Sequence, residues 1–398
     1  MKEGWEYKKL GEVTTTINGL WTGKKPPFIN VAVIRNTNFT KDCQLDMSNV
    51  AYLDVEEKQF STRKLQYGDI IIEKSGGSEK QPVGRPVLFN IKEGDYSFSN
   101  FTSTLRIKEE KEMDSRFLHY SLIAAYNRGV TSKMQAKTTG IHNLDFKAYL
   151  KLLIPIPSIN EQQQIISELD LLSDVIENQK AQIEELDKLA QSIFYNMFGD
   201  PVTNEKNWEL KKLGDVSDIT SSKRIFANEY REDGIPFYRG KEITEKSKGQ
   251  EISLELFISE ERYEEIKESF GVPSIGDILI TAVGTIGNIW VVNDTNPFYF
   301  KDGNIIWVKD FKNIDPTYFK SVLTILIATY KGEMANGCAY NALTIVNLKK
   351  MSFALPPLAL QQEFAAKIEA IEHMKAKVRQ SLKESEELFN SRMDYYFN

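Results

Sequence analysis

The sequence repeats itself. Trp5-Glu6-Tyr7-Lys8-Lys9-Leu10-Gly11-Glu12-Val13 recurs as Trp208-Glu209-Leu210-Lys211-Lys212-Leu213-Gly214-Asp215-Val216, and Gly68-Asp69-Ile70-Ile71-Ile72 returns as Gly276-Asp277-Ile278-Leu279-Ile280. Ile34-Arg35 has a counterpart in Tyr238-Arg239. Each half closes on a proline-marked exit, Ile154-Pro155-Ile156-Pro157 or Leu355-Pro356-Pro357, before a glutamine-rich start at Gln162-Gln163-Gln164 or Gln361-Gln362. Four motifs kept in one order are not a chance alignment and point to two copies of one structural plan.

Each copy divides into a head of about 150 residues and a terminal helix. Short β-branched or aromatic runs bounded by Gly, Pro, Asn and Asp, such as Asp69–Glu73, Val87–Asn90, Ile278–Ala282 and Asn288–Val292, predict strands. Arg116–Arg128 and Pro316–Lys331 predict helices. The heads are therefore mixed α+β, each a curled sheet with a few helices. After Pro157, Ser158 and Glu161 have the spacing of a capping box, and Gly199-Asp200-Pro201 supplies a stop. Between them Leu172, Ile176, Gln179, Ile183, Leu186, Ala190, Ile193 and Met197 are spaced alternately by four and three, as in a coiled-coil seam. The same seam recurs as Ile371, Lys375, Val378, Leu382, Ser385, Phe389, Arg392 and Tyr396, more polar and without the capping box. The expected fold class is α+β: two mixed heads, 1–157 and 200–356, separated by two long antiparallel helices, 158–199 and 357–398, in a pseudo-twofold arrangement.

Composition removes other classes. Cys43 and Cys338 are far apart, so neither a disulfide-stapled scaffold nor a cysteine metal site is expected. His119, His142 and His373 form no HExxH or close pair. No basic start with an apolar core opens the chain, and no apolar run reaches the roughly 20 residues that span a bilayer, so a cytoplasmic protein is expected. The net charge of -6 hides a partition: residues 1–157 carry 23 basic and 18 acidic groups, whereas 158–206 carry 3 and 10. The overall balance argues against a wholly basic nucleic-acid coat, and the partition points to separate modules.

The order of head, helix, head and helix, with Trp-x-x-x-x-Leu-Gly-[Glu/Asp]-Val opening each head, Gly-Asp-Ile in its middle and Pro-x-x-x-Glu-Gln ahead of the helix, resembles the specificity subunit of type I restriction-modification systems along the whole chain. The resemblance implies that each head is a target recognition domain reading half of a gapped double-stranded DNA site. It implies that the helices are a spacer on which two modification (methyltransferase) subunits dock, with an ATP-driven restriction subunit as a further partner. On that reading this chain has no active site and no cofactor or metal of its own. S-adenosylmethionine sits on the modification subunits, and ATP and Mg on the restriction subunit. At the second exit Leu360-Gln361 replaces Glu161-Gln162, a departure from the pattern.

DNA contacts call for loop cations at phosphates and planar polar groups at base edges. The candidates in the first head are Lys24, Lys25, Arg35, Asn36, Lys80, Arg85, Lys133, Gln135 and Lys137. Those in the second are Ser222, Lys223, Arg224, Tyr238, Arg239, Lys241 and Tyr340. Lys24 with Lys223, and Arg35 with Arg239, agree in position between copies. Leu169, Val175, Leu189 and Phe194 lie off the helical seam and are expected to be exposed, forming a partner surface. The bland reading of any one loop lysine is a solvated charge. Trp5, Trp208, Leu10 and Leu213 read as packing residues, and Asp69 and Asp277 as turn residues taking backbone donors. Asn296-Pro297-Phe298-Tyr299 approaches the signature with which amino-methyltransferases hold a flipped base, but lacks its second proline and an accompanying cofactor loop; an ordinary turn suffices. Two rivals remain: a self-contained methyltransferase or nuclease, and a coiled-coil scaffold without a nucleic-acid role.

Overall fold

The computed structural model describes residues 2–398 apart from residues 3, 22, 24, 80, 139, 140 and 336–342, and apart from the side chains of 136–138, 141 and 333–335. The chain forms two compact units, Met1–Lys180 with Gln380–Asn398, and Ala181–Arg379. The division falls inside the long helices rather than at the proline exits. Each unit thus combines one head with parts of both helices.

The two heads share one frame. In the first, Thr14–Asn18, Thr102–Ile107, Ile70–Glu73 and Pro86–Leu88 form an antiparallel sheet in that order. In the second, Asp218–Thr220, Ile305–Lys309, Ile278–Thr281 and Ile289–Val291 do the same. A smaller sheet accompanies each: Ala51–Glu56, Phe28–Ile34 and Tyr96–Phe98, or Phe257–Ile258, Ile235–Tyr238 and Tyr299–Phe300. In both, the last pairing is parallel. The helices Ser115–Asn127 and Pro316–Ala335 stand where the sequence predicts them.

The opening and closing motifs of each head recur together because they are strand partners. Glu6–Lys9 pairs with Leu153–Ile156, and Glu209–Lys212 with Ser352–Leu355. Leu10 and Leu213, fully buried, follow those strands into the core. Thr14 Oγ1 donates to the Leu10 carbonyl at 2.7 Å and Ser217 Oγ to the Leu213 carbonyl at 2.8 Å. Asp69 and Asp277 are turn residues in the manner expected: their carboxylates accept the Gln66 and Ser274 amides at 2.8 and 2.9 Å.

The helices Ile159–Phe198 and Leu358–Phe397 each run 40 residues, about 60 Å. Their first turns are tied to the heads by a buried glutamine. Gln162 Oε1 accepts the Asp114 amide at 2.8 Å, while its Nε2 donates to the carbonyls of Glu112 and Pro157 at 2.7 and 2.9 Å. Gln361 repeats this with Asp315, Asn313 and Pro356 at 2.9, 3.4 and 2.8 Å. The capping box is half formed: Ser158 Oγ accepts the Glu161 amide at 3.3 Å, but the Glu161 carboxylate turns to the Trp5 indole at 3.0 Å. Where Leu360 stands in place of Glu161, Trp208 donates instead to the Phe198 carbonyl at 3.0 Å.

Every seam residue on both helices is buried or half-buried. Within the first unit the helices are antiparallel, Glu168 meeting Arg392 and Gln179 meeting Ser381. The same holds within the second, where Asp187 meets Lys375 and Phe194 meets Phe364.

Two of the four expected partner residues belong to the cores. Leu169 packs with Phe117, Leu118 and Met393 in the first unit. Phe194 stacks against Tyr318 with ring centroids 5.8 Å apart in the second. The off-seam positions near the helix ends face the heads, a burial that heptad spacing alone does not reveal. Val175 and Leu189 are exposed as expected, and so is Leu171, one helical turn before Val175. Among the described residues no helix is long and apolar enough to cross a membrane.

Candidate nucleic-acid interface

In each head a polar cavity opens between the segment that follows the central strand of the smaller sheet and the glycine loop that follows the Gly-Asp-Ile strand. In the first head it is lined by Asn36, Lys41, Ser78 and Gln81, with Glu73 and Arg85 beneath. In the second the lining includes Thr244, Lys248, Thr285, Asn288 and Lys331. Arg35 and Arg239 precede the first wall of their respective cavities in sequence without lining them. The Arg35 amide is capped by Asn38 Oδ1 at 3.0 Å, and the Arg239 amide by Glu242 Oε2 at 2.7 Å. Asn36 Nδ2 reaches the Ser75 carbonyl at 3.3 Å, which closes the wall against the glycine loop.

The loop cations fall into three states. Lys25, Lys133, Lys223 and Arg224 are exposed. Lys223 lies over the Phe270 ring at 4.6 Å, and Arg224 pairs with Asp302 at 2.8 Å while remaining largely in solvent. Arg239 and Lys241 share one carboxylate: Glu255 accepts from Arg239 Nη2 at 2.7 Å and from Lys241 Nζ at 2.6 Å. These hydrogen bonds pull the Glu255 carboxyl down to about 2. Arg239 also pairs with the buried Glu242 at 3.0 Å. Half-buried Ser222 immediately precedes Lys223 and Arg224.

Three candidates have structural duties instead. Arg85 is buried, its guanidinium bound to both oxygens of Glu73 at 2.8 and 3.2 Å and to the carbonyls of Phe39 and Thr40, so most of its donors are engaged inside the head. Gln135 is spent on the Val83 and Thr131 carbonyls at 3.1 Å. Tyr238 lies in the core, stacked on Phe298 at 4.6 Å, and burial pushes its hydroxyl up to about 12. Lys24, Lys80 and Tyr340 lie outside the described residues, as does the side chain of Lys137.

The Asn296-Pro297-Phe298-Tyr299 stretch is an ordinary turn: Asp294 Oδ1 accepts the Asn296 amide at 2.9 Å, Phe298 is buried against Tyr238, and the Tyr299 hydroxyl accepts the Lys223 amide at 2.6 Å. Among the described residues no group of three or more His, Cys, Asp or Glu side chains is placed to hold a metal ion.

Two α+β heads on a common frame, each clasped to a long helix, define a duplicated recognition module. The family described as type I restriction modification DNA specificity domain matches residues 2–188 and again 205–384, and the chain belongs to that family. It is a specificity-subunit protein, not one of the catalytic subunits. It is 28% identical over 298 residues to a putative type I restriction enzyme specificity subunit, S.HindORF215P, of Haemophilus influenzae, covering 73% of this chain and 72% of that one. It is 19% identical over 391 residues to the putative MjaX specificity subunit of Methanocaldococcus jannaschii, covering 94% and 88%. The crystal structure of a type I restriction-modification system S subunit from M. genitalium shares the fold, with a TM-score of 0.56 at 16% identity over 99% of this chain and 96% of that one.

Proposed function

We propose that the two heads read the two halves of a gapped double-stranded DNA site, and that the long helices carry two modification subunits, each of which methylates an adenine in its own half-site. S-adenosylmethionine is then held by those subunits, and ATP and Mg by a restriction subunit that joins the assembly. The observation that carries this reading is one frame with two surfaces. Strand order, the Gly-Asp turn and the glutamine clasp are duplicated, whereas the loops facing solvent differ in charge and shape. Two modules under one structural constraint and two recognition tasks would diverge in this pattern.

The partner count has its own support. Val175 and Leu189 on the first helix are exposed, and so are Met374 and Leu388, which occupy the equivalent positions 199 residues later. Each unit therefore shows solvent an apolar side chain from each helix at matched register, with Leu171 in addition on the first unit, an exposure that a docked subunit would cover.

Exchange of residues 207–356 for the corresponding head of another family member tests the reading. Methylome sequencing should show one half of the methylated motif replaced and the other retained; replacement of both halves overturns it. Native mass measurement of the co-expressed complex should give two modification subunits per chain, and a fully active one-to-one complex overturns that count.

A further inference from the structure

The paired cavities occupy equivalent places to the residue. In the first head Ile72 stands opposite Pro86, and one step further Glu73 donates its amide to the Arg85 carbonyl at 3.0 Å. In the second, Ile280 stands opposite Ile289, and one step further Thr281 donates its amide to the Asn288 carbonyl at 3.0 Å. Glu73 therefore corresponds to Thr281, and Arg85 to Asn288. The pair ends the sheet at the cavity in each head.

The two pairs have opposite chemistry on the same backbone. Glu73 and Arg85 form a buried ion pair. With its amide oxygen turned toward Arg85, Gln81 accepts from both terminal guanidinium nitrogens at 2.7 and 2.8 Å. Thr281 and Asn288 are neutral. Thr281 Oγ1 accepts the Asn288 amide at 3.0 Å, and Asn288 Nδ2 donates to Thr244 Oγ1 at 2.8 Å and to the Thr285 carbonyl at 3.3 Å. The first pair fixes Gln81 in the wall of its cavity; the second fixes Thr244 and the 285 loop. What is held at the rim thus differs between heads, while the strand that holds it does not.

Above each pair stands the chemistry of nucleic-acid contact. Lys41 is exposed beside the first cavity, and Lys248 and Lys331 beside the second. Exposed Ser78 and half-buried Gln81 line the first cavity with Lys41, and exposed Thr285 with half-buried Thr244 and Asn288 line the second. The cavities measure about 410 and 420 Å³, at the size of small-ligand sites and open enough to receive part of a duplex rather than a sequestered molecule. We infer that these two cavities are where base edges of the two half-sites are read. Rim lysines contact flanking phosphates, and the pairs Glu73–Arg85 and Thr281–Asn288 act as positioning residues that make the half-sites differ. The inference rests on the heads being DNA-reading modules and assigns the reading to particular residues.

Phosphate and base contacts have separable signatures: losing the first weakens binding to all sequences and flattens the salt dependence, while losing the second relaxes preference at one position. The test uses the full chain in complex with its modification subunits. Lys41→Ala and Lys248→Ala are each expected to weaken binding to cognate and non-cognate duplexes alike, about threefold to tenfold, and to lower the salt slope by about one. Ser78→Ala with Gln81→Ala should relax base preference about tenfold in one half of the methylated motif only, and Thr285→Val in the other half only. Because Gln81 touches Arg85, melting temperature and co-purification with the modification subunits are measured alongside, and Ser78→Ala alone provides a variant clear of the ion pair.

A wild-type complex that methylates a discrete two-part motif, together with rim variants whose affinity, salt slope and motif all stay within twofold of wild type, overturns the cavity assignment and leaves the DNA-reading function standing. Equal relaxation of both halves by either set overturns it too. A wild-type complex with no discrete motif overturns both readings.

Discussion

The Lys375 ammonium lies 2.6 Å from the Asp187 carboxylate inside the helix seam, at the register that Ile176 fills in the other unit. Its side chain is 8% exposed, and Glu372 holds the same ammonium at 2.7 Å. A cation is thus carried on an apolar position by two half-solvated carboxylates. Replacing it with a hydrophobe of similar length removes the cost of burying charge, so Lys375→Met should be neutral or stabilising by about 1 kcal/mol. Asp187→Ala alone leaves Glu372 in place and should cost no more than about 1 kcal/mol. Asp187→Ala with Glu372→Ala strands the ammonium and should cost about 3 kcal/mol. Denaturant unfolding of these variants together with Glu372→Ala alone checks this; additive effects of the two carboxylates would contradict the shared-partner geometry.

His119 should make the first unit sensitive to mild acid. It is fully enclosed, and burial pulls its imidazole down to about 4, partly offset by the Pro86 carbonyl 3.3 Å from Nε2. Unfolded, the same ring titrates near 6.5. Above about 6.5 neither state binds the proton and the stability is fully present; as pH falls from there toward 4, the unfolded chain gains a proton the folded one refuses, and stability drops by up to about 3 kcal/mol. Unfolding free energies at pH 7, 6 and 5 should show this loss, and His119→Gln should flatten it. An unchanged slope in the variant would place the acid sensitivity elsewhere.

The glutamine clasp predicts a matched pair of effects. Gln162→Ala removes partners from the Asp114 amide and the Glu112 and Pro157 carbonyls, and Gln361→Ala does the same to Asp315, Asn313 and Pro356. Buried groups left unpaired make each change cost about 2 to 3 kcal/mol. Protease digestion under native conditions should cut near 157 in the first variant and near 356 in the second. Cleavage at neither junction would show that the clasp does not hold helix to head.

The sequence made the frame legible and hid much of the surface. Repeated motifs and heptad spacing are local signals, so the heads, the helices and the seam could all be read from residue order. Whether a loop cation is free is decided by a partner elsewhere: Arg85 is consumed by Glu73 across a hairpin, and Tyr238 by Phe298, sixty residues on. Leu169 and Phe194 likewise appear off-seam in a helical projection, yet are buried because the heads supply a second wall. The clasp was visible as a repeated Pro-then-Gln order. Its meaning required the carbonyls it binds, which carry no side-chain signature.

If the second head reads DNA as proposed, Glu255 competes with a phosphate for two cations. One exposed carboxylate bridges Arg239 and Lys241, the two cations at the start of the helix Gly240–Ser247. On that proposal it would act twice, repelling the DNA backbone and occupying the donors that would meet it. Glu255→Gln should therefore raise duplex affinity about threefold to tenfold at physiological salt and steepen the salt dependence by about one, because one more phosphate contact forms. Sequence preference should not change, since phosphate contacts carry no base information. Lys241→Ala should weaken binding uniformly, and in the double variant most of the Glu255→Gln gain should vanish. Titrations of labelled duplex against the assembled complex at several salt concentrations measure all three. A fall in affinity in Glu255→Gln, or a salt slope equal to wild type, would mean that Glu255 shapes the loop for binding instead of competing with the phosphate.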